Sequence, residues 1–549
     1  MTIAEVVDKF RNSHGDQLRS HFSRAIMKRW ASVTAFIFFI LLLAGAFFFR
    51  VDVSVIGENF LSTDGSTTQN IYTNESSAHN ASPVKCADQS TCKVNDTVRA
   101  FDGPEYQLSD AACPDYFRWI HEDLRPWAST GISRDTVESA KRFATFRLVI
   151  VDGKAYVERY YHSFQTRDLF TIWGIVQLLR LYPGRVPDVE LMFQCGDLPE
   201  IQKGDYQGPG ATLPPPALFQ YSGNETAFAV TFPDWSFWGW VEVDIKPWKS
   251  MLEGITKGSQ RKNWTDRVPY AYWRGNSHVS RDRKDLLKCK SSIFSHDWNA
   301  RLYSQDWGKE THNGFKHSHL EDQCTHRYKI YIEGRAWSVS DKYILACDSM
   351  TLLIKPDYYD FFMRSMIPMQ HYWPIRKTNK CRDIKFAVDW GNNHADKAET
   401  IGKGGSAFIH DNLKMEYVYG YMLHLFREYA KLMKFKPEIP QGGVEVCAES
   451  MACSEGGLIR EFMESSMEIS PSSTLPCAMP PYDPAFLQDF SERKENITRQ
   501  VVMWENEYWE NKKKKTKTFF LKRSGAYKLA TTVFFHTFVI SLTFFKILN

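Results

Sequence analysis

Two stretches of this 549-residue chain set cations and glycine beside what reads as the end of a strand. The first is YKIYIEGRAWSVSDKYILACDSMTLLIKP, Tyr328 to Pro356. Tyr328, Ile330 and Ile332 alternate with Lys329, Tyr331 and Glu333, the period-two pattern of a strand reaching Gly334. Trp337 to Asp341 then opens a helix. Ser338 or Ser340 is placed to cap its free N–H groups, and Asp341 suits the positive end of its dipole. Met350 to Ile354 is the next buried strand. Such a strand–turn–helix–strand unit leaves N–H groups at the carboxyl edge of a sheet, where nucleotide phosphates bind. Arg335, in the turn, is within reach of a diphosphate there. An ordinary βαβ unit without a ligand has the same pattern.

The second stretch is AYWRGNSHVSRDRKDLLKC, Ala271 to Cys289. An apolar run ends at Trp273, Arg274-Gly275-Asn276 follows, and Arg281 and Arg283 precede a helical spacing. Gly275 permits a close backbone approach, and the arginines suit phosphate. Each arginine alone also fits a solvated helix start. A third stretch, FPDWSFWGWVEVDIKPW from Phe232 to Trp248, holds four Trp and two Phe in seventeen residues. Trp235, Trp238 and Trp240 are either a stacking surface for sugar rings or an aromatic plug in the core.

The elements that position these stretches alternate between strand and helix. Arg147 to Tyr161 is two alternating runs around Asp152-Gly153, a hairpin signal. Leu169 to Tyr182 and Leu413 to Lys434 have helical spacing, the latter closed by Pro437. Val189 to Asp197, VELMFQCGD, is an apolar run that ends in polar residues, as a buried strand does on reaching a sheet edge. The alternation implies α/β layers.

Net charge is only +4, against a nucleic-acid binder that works through a broad basic face. Ala31 to Phe49 is uncharged; nineteen helical residues rise about 28 Å, close to a bilayer's hydrocarbon thickness. Six Lys/Arg against three Asp/Glu precede its end, so the segment reads as a signal anchor with residues 1–30 cytosolic and the rest lumenal. A cleaved signal peptide is the alternative. Six N-x-S/T sequons, at Asn74, Asn80, Asn95, Asn224, Asn263 and Asn496, agree with lumenal exposure. So do eleven Cys with no C-x-x-C pair: disulfides, with at least one thiol left over. Cys86, Cys92 and Cys113 read as one local cluster, and Cys447, Cys453 and Cys477 as another. Residues 50–105, rich in Ser, Thr and Asn, read as a stem. Lys512 to Lys515 and the apolar Leu529 to Phe545 form a tail that reads as interfacial, with a second membrane span as the alternative.

These segments together resemble glycosyltransferase family 90, the Rumi-type protein O-glucosyltransferases and capsule xylosyltransferases, and within it the plant branch. The wording HRYKIYIEGRAWSVSDKYILACDSMTLLIKPDYYDFF and HYWPI at His371 to Ile375 carries the resemblance, which runs from about His121 to Leu432. It implies a GT-B-like α/β fold: two Rossmann-like domains, over 106–265 and 266–435, with the active site in the cleft between them and a C-terminal extension over 436–549. It implies a UDP-sugar donor, glucose or xylose, and a hydroxyl acceptor on a protein or glycan, with inversion at the anomeric carbon. It implies no cofactor and no metal; no strict D-x-D occurs in the sequence. By this resemblance the base is Asp197, with Asp188 as runner-up. The donor is held by Arg274, Gly275, Asn276, Arg283 (Arg281 as the alternative) and the run Gly334, Arg335, Ala336, Trp337, Ser338, Val339, Ser340. Trp235, Trp238, Trp240 and Lys246 face the acceptor, and Cys324 pairs with Cys347. Two departures stand out. The donor loop ends in Ser340 where the animal enzymes have Arg, and Arg335 replaces a small apolar residue. A short cytosolic tail, one span and a stem suit a Golgi (or endoplasmic reticulum) enzyme. A non-catalytic glycan-binding protein and a glycoside hydrolase are the competing readings; the second lacks an identifiable carboxylate pair.

Overall fold

In a computed structural model, residues 108–207, 213–290 and 297–547 are described, with Cys86 and Cys92; side chains are described as far as Thr518. The proposed anchor at 31–49 and most of the stem therefore lie outside the described residues. Two sheets organise the chain. Strands β1 (Phe146–Val151), β2 (Lys154–Arg159), β3 (Val189–Phe193), β4 (Leu218–Gln220) and β5 (Val230–Thr231) belong to the first. Strands β6 (Val268–Gly275), β7 (Ala300–Ser304), β8 (His326–Tyr331), β9 (Met350–Ile354) and β10 (Trp373–Ile375) form the second, and β11 (Val444–Val446) returns to the first.

The first sheet runs β11-β2-β1-β3-β4-β5. It is mixed: β11, β2, β1 and β3 pair antiparallel, and β3, β4 and β5 parallel. The antiparallel part departs from a purely Rossmann-like sheet. It arises because β1 and β2 are joined by Asp152-Gly153, both at positive φ (50° and 71°), a two-residue turn that reverses the chain too tightly for a crossover helix. The second sheet runs β7-β6-β8-β9-β10 and is parallel throughout. Parallel order aligns all five carboxyl ends on one edge, where the loops after β6 and β8 lie side by side.

Helix α1 (Arg167–Leu181) crosses from the hairpin to β3. It passes so close to Trp238 that a Cβ on Gly174 would fall 2.3 Å from the indole ring. Helix α2 (Trp248–Gln260) leads into the second sheet, where α3 (Arg281–Leu286) follows β6 and α4 (Ser340–Leu345) links β8 to β9. Helices α5 (Lys380–Asn393), α6 (Ala395–Asn412) and α7 (Met415–Leu432) follow, and α8 (Pro484–Ile547) closes the chain. One core packs Phe146, Leu148, Leu191, Phe193 and Phe219 of the first sheet with Trp235, Trp238, Tyr419 and Phe426, and continues to Trp337, Tyr343 and Leu353 of the second half. A smaller core fills another side of the second sheet with Ile330, Leu352, Ile384 and Val388.

Five disulfides are present. Cys324–Cys347 is among them, as is Cys289–Cys381. The pairing that the sequence left open joins the two clusters to each other, as Cys86–Cys453, Cys92–Cys447 and Cys113–Cys477. Residues 109–113 lie against residues 476–478 of the C-terminal extension (Ala112 bridges Ala478), so the nearest sulfurs in space are more than 350 residues away in sequence. Cys195 is the unpaired thiol. Among the described residues no helix is long and apolar enough to cross a membrane; the side chains of Leu529 to Phe545 lie outside that description.

Candidate active site

Strand β3 is buried along its whole length, and the chain leaves it through Gln194, Cys195 and Gly196 to Asp197. The exit is pinned at each step. Cys195 N–H donates to Thr145 Oγ1 (2.9 Å), Gly196 N–H to Gln194 Oε1 (2.9 Å), and Ser222 Oγ to the Asp197 carbonyl (3.1 Å). The Asp197 side chain keeps 32% of its surface exposed and accepts from Arg167 Nη1 at 2.8 Å. Arg167 itself is buried. Its guanidinium also donates to the Cys195 carbonyl (3.3 Å) and lies 4.3 Å from the Trp235 ring centroid and 5.2 Å from that of Phe164. One carboxylate oxygen is thus fixed; Oδ2 makes no hydrogen bond to the described residues. Burial pushes the neighbouring Cys195 thiol up to about 12, which removes it as a nucleophile. Asp188, the runner-up, accepts Asp152 N–H at the β1–β2 turn (3.0 Å), a structural role.

Across the molecule, Arg283 ties the two cation-bearing loops together. Ser280 Oγ caps α3 by accepting Arg283 N–H (3.2 Å), and the guanidinium turns inward. It donates to the carbonyls of Glu333 (2.9 Å), Asn276 (3.2 Å) and Ile332 (3.3 Å) and to Ser338 Oγ (3.0 Å). Burial draws its pKa down to about 10, still far above neutrality. Arg281 is exposed, so of the two arginines it is Arg283 that is built into the loops. Arg274 Nε donates to Gln305 Oε1 (2.5 Å) and its Nη2 lies 3.7 Å from Glu310. Gly275 accepts Gln305 N–H (2.7 Å) at the end of β6.

In the loop after β8, Arg335 is exposed and forms no ion pair among the described residues, while Ala336 and Trp337 are buried. Ser338 and Ser340 do not cap α4, contrary to the sequence reading. The cap position is Val339, and the Ser338 hydroxyl is occupied by Arg283 and by Ser340 Oγ (2.9 Å). Asp341 is fully enclosed; burial and then Asp360 hold its carboxyl well above the usual range. Lys342, next to it, donates to Asp234 Oδ2 at 3.0 Å with both side chains buried. Burial opposes that ammonium, and Asp234 more than offsets it, holding its pKa above the ordinary lysine value.

The Asp234–Lys342 pair joins α4 to the tryptophan segment, whose expected role is corrected in part. Trp235 and Trp238 are core residues, 1% and 0% exposed, and the Trp238 indole N–H donates to Tyr419 (2.9 Å). Neither ring has a face open to a sugar; the aromatic plug is the reading that fits. Trp240 is half-buried and donates to Gln165 (2.9 Å). Lys246 is exposed and borders a shallow recess with Phe315 and His319. Trp235 packs against Trp337 with ring centroids 6.4 Å apart. Both indole N–H groups are buried without a hydrogen-bond partner among the described residues. Arg167, Trp235 and Trp337 therefore form a continuous contact path from Asp197 to the loop after β8.

Asn224, Asn263 and Asn496 lie at partly or fully exposed positions; Asn74, Asn80 and Asn95 are outside the described residues. Among the described residues one trio of potential metal ligands clusters, Cys113, His424 and Cys477, and its two sulfurs are joined to each other. Sequence reading missed Arg167, because an arginine at a helix start is ordinarily solvated. It also missed Asp234 and Lys342, more than a hundred residues apart in sequence.

Comparison with known proteins decides the family. The profile of glycosyl transferase family 90 matches residues 108–505, well over half of the chain. The chain belongs to glycosyl transferase family 90. It is similar to the O-glucosyltransferase rumi homolog of Aedes aegypti, 26% identical over 61% of this chain and 83% of that protein. It is 24% identical to the O-glucosyltransferase rumi of Drosophila melanogaster (60% and 80% covered) and 25% identical to protein O-glucosyltransferase 1 of Homo sapiens (60% and 82%). It is a glycosyltransferase. In family 90 terms, the matched region contains both sheets of this chain, Asp197 and the two arginine-bearing loops.

Proposed function

We propose that this family 90 enzyme is a GT-B-type, inverting transferase that moves a sugar, glucose or xylose, from a UDP donor to a hydroxyl of a glycan or glycoprotein. The observation that carries the reading is Asp197. It stands at the carboxyl edge of a buried strand, with one carboxylate oxygen held by Arg167 and the other open, on a contact path that ends at the loop after β8. The acceptor hydroxyl attacks the sugar C1 from the face opposite the diphosphate. The new O–C1 bond forms as the C1–O bond to UDP breaks, and the hydroxyl proton passes to Asp197.

Arg283 works as a positioning residue: it fixes the two loops that meet the diphosphate and spends its donors on their carbonyls. Arg335 and Arg274, with backbone N–H groups of the loops, neutralise the leaving diphosphate in place of a metal. The likeness to proteins named O-glucosyltransferases supports a glucosyl donor. The uncharged run at 31–49, the sequons and the disulfides support a membrane-anchored enzyme with its catalytic part in the lumen of the Golgi or endoplasmic reticulum.

The test is UDP release by the purified full chain from a panel of UDP-sugars, in EDTA, with and without a mixed glycan and glycoprotein acceptor pool. Acceptor-stimulated release from one donor, unaffected by EDTA, is expected. Release that needs a divalent cation overturns the metal-free mechanism. UDP binding without release from any donor overturns the transferase reading in favour of a glycan-binding role.

A further inference from the structure

Lys329 sits in the middle of β8 with its side chain buried. No carboxylate lies within ion-pair distance of it among the described residues. Its hydrogen bond goes to Cys347 Sγ at 3.2 Å, half of the Cys324–Cys347 disulfide. The charged group beside it is Arg267, a second cation, which donates to the Cys347 carbonyl at 2.6 Å. Burial draws Lys329 down to about 7. A disulfide sulfur is a weak acceptor, so this amine lacks an anionic partner while the bridge is closed. Opening the bridge creates one at the same position.

We propose that Cys324–Cys347 is a thiol–disulfide exchange site, opened by a dithiol reductant, in which Lys329 stabilises the departing Cys347 thiolate. A reductant thiolate attacks Cys324 Sγ, the Sγ–Sγ bond breaks, and its electron pair leaves on Cys347 beside the ammonium. The second thiolate of the reductant attacks the mixed disulfide and releases Cys324. The bridge has then gained two electrons, one proton rests on Cys324, the other is held by Lys329 beside the Cys347 thiolate, and the dithiol has become a cyclic disulfide. A lowered thiol pKa speeds departure, so the cation selects Cys347 as leaving group and Cys324 as the sulfur attacked. Both sulfurs are buried, Cys347 at 0% and Cys324 at 3% exposure, so attack on Cys324 requires the half-buried turn Leu320–Gln323 before it to move aside. The bridge joins the start of β8 to the end of α4, and so closes the unit that contains residues 334–340. The consequence for donor binding rests on the function proposed above; the exchange chemistry does not.

The full chain is equilibrated across ratios of reduced to oxidised dithiothreitol. Free thiols are trapped with one alkylating reagent and, after full reduction, the remainder with an isotopic twin; peptide masses then give the oxidised fraction of each bridge. Cys324–Cys347 is expected to open at a ratio about tenfold less reducing than any other bridge, a difference of about 30 mV. Lys329→Met is expected to shift that bridge about tenfold toward more reducing conditions and leave the other four in place, which also reports that the variant is folded. Opening together with or after the other bridges in the wild-type chain overturns the proposal, as does an unchanged midpoint in Lys329→Met. If the bridge opens first but UDP binding is unaltered, the exchange site stands and its link to the donor loop is refuted.

Discussion

Replacing Asp197 with Asn removes the proposed proton acceptor and little else. The amide keeps an oxygen for Arg167 Nη1, now 2.8 Å from Oδ1, and presents an N–H₂ where Oδ2 has no partner. The lost charge is partly solvated, with 32% of the side chain exposed, so the ion pair itself stabilises the fold by about 1 kcal/mol or less. The Trp235 contact and the Cys195 carbonyl still hold Arg167 in place. Melting is therefore expected to shift by only a few degrees. A positioned general base accelerates transfer by roughly 10²–10⁴-fold, about 2.7–5.4 kcal/mol in the barrier. Because deprotonation is felt only in the transition state, kcat and kcat/KM should fall together by that factor. The assay is UDP release under saturating acceptor, paired with calorimetric UDP binding and a thermal melt on the same preparation. Activity within about tenfold of wild type, in a variant with native melting, refutes Asp197 as the base. Loss of UDP binding alongside activity refutes the division of labour between the two halves of the site.

Trp238→Ala should act as a core mutation: its ring is fully enclosed, so urea unfolding is expected to show a loss of about 3–5 kcal/mol, and an acceptor-KM effect without destabilisation would restore the platform reading. Arg283→Met removes donations to three carbonyls and one hydroxyl; UDP affinity should drop at least about tenfold while the pH profile of kcat stays unchanged, measured by calorimetry and steady-state rates. Burial pushes His326, His371 and His424 down to about 4, below the roughly 6.5 of an unfolded chain. Between about pH 6.5 and 4 the unfolded state binds more protons, so the melting temperature should fall as pH drops through that window. Glu505 has the opposite sign: burial and Asp383 raise it to about 8, so its stabilisation is complete below about pH 4.5 and is lost as pH rises to about 8. In Glu505→Gln the decline in melting temperature from pH 5 to 8 should flatten; an unaltered slope would refute the assignment.

Much of the local architecture was legible before any coordinates. The β1–β2 hairpin follows from alternation around Asp152-Gly153, and both residues hold the positive φ that such a turn demands. Helix α7 occupies the periodic stretch before Pro437, and Met350–Ile354 is the strand its apolar run implies. The placement of the candidate site residues was partly legible for the same reason: Asp197 and the arginine loops sit where strands run out, and the end of a strand is visible in its own residues. The cap of α4 was misread even at that range, since Ser338 was claimed by Arg283, fifty-five residues upstream.

What the sequence by itself determined, then, is set by periodicity and turn chemistry: which segments are strands and helices, which loops bear cations and glycine, that disulfides form, and the family. Tertiary structure alone decided the partners. Nothing near Arg167 in sequence announces that it turns inward to hold Asp197, thirty residues on. A run such as DWSFWGW reads equally as a surface or a plug until α1 and α7 close over Trp238. The two cysteine clusters pair with each other across more than 350 residues because residues 109–113 pack against residues 476–478. Asp234 and Lys342 meet only because two sheets share one core. Each of these is a pairing energy between groups distant along the chain, and local pattern carries no record of it.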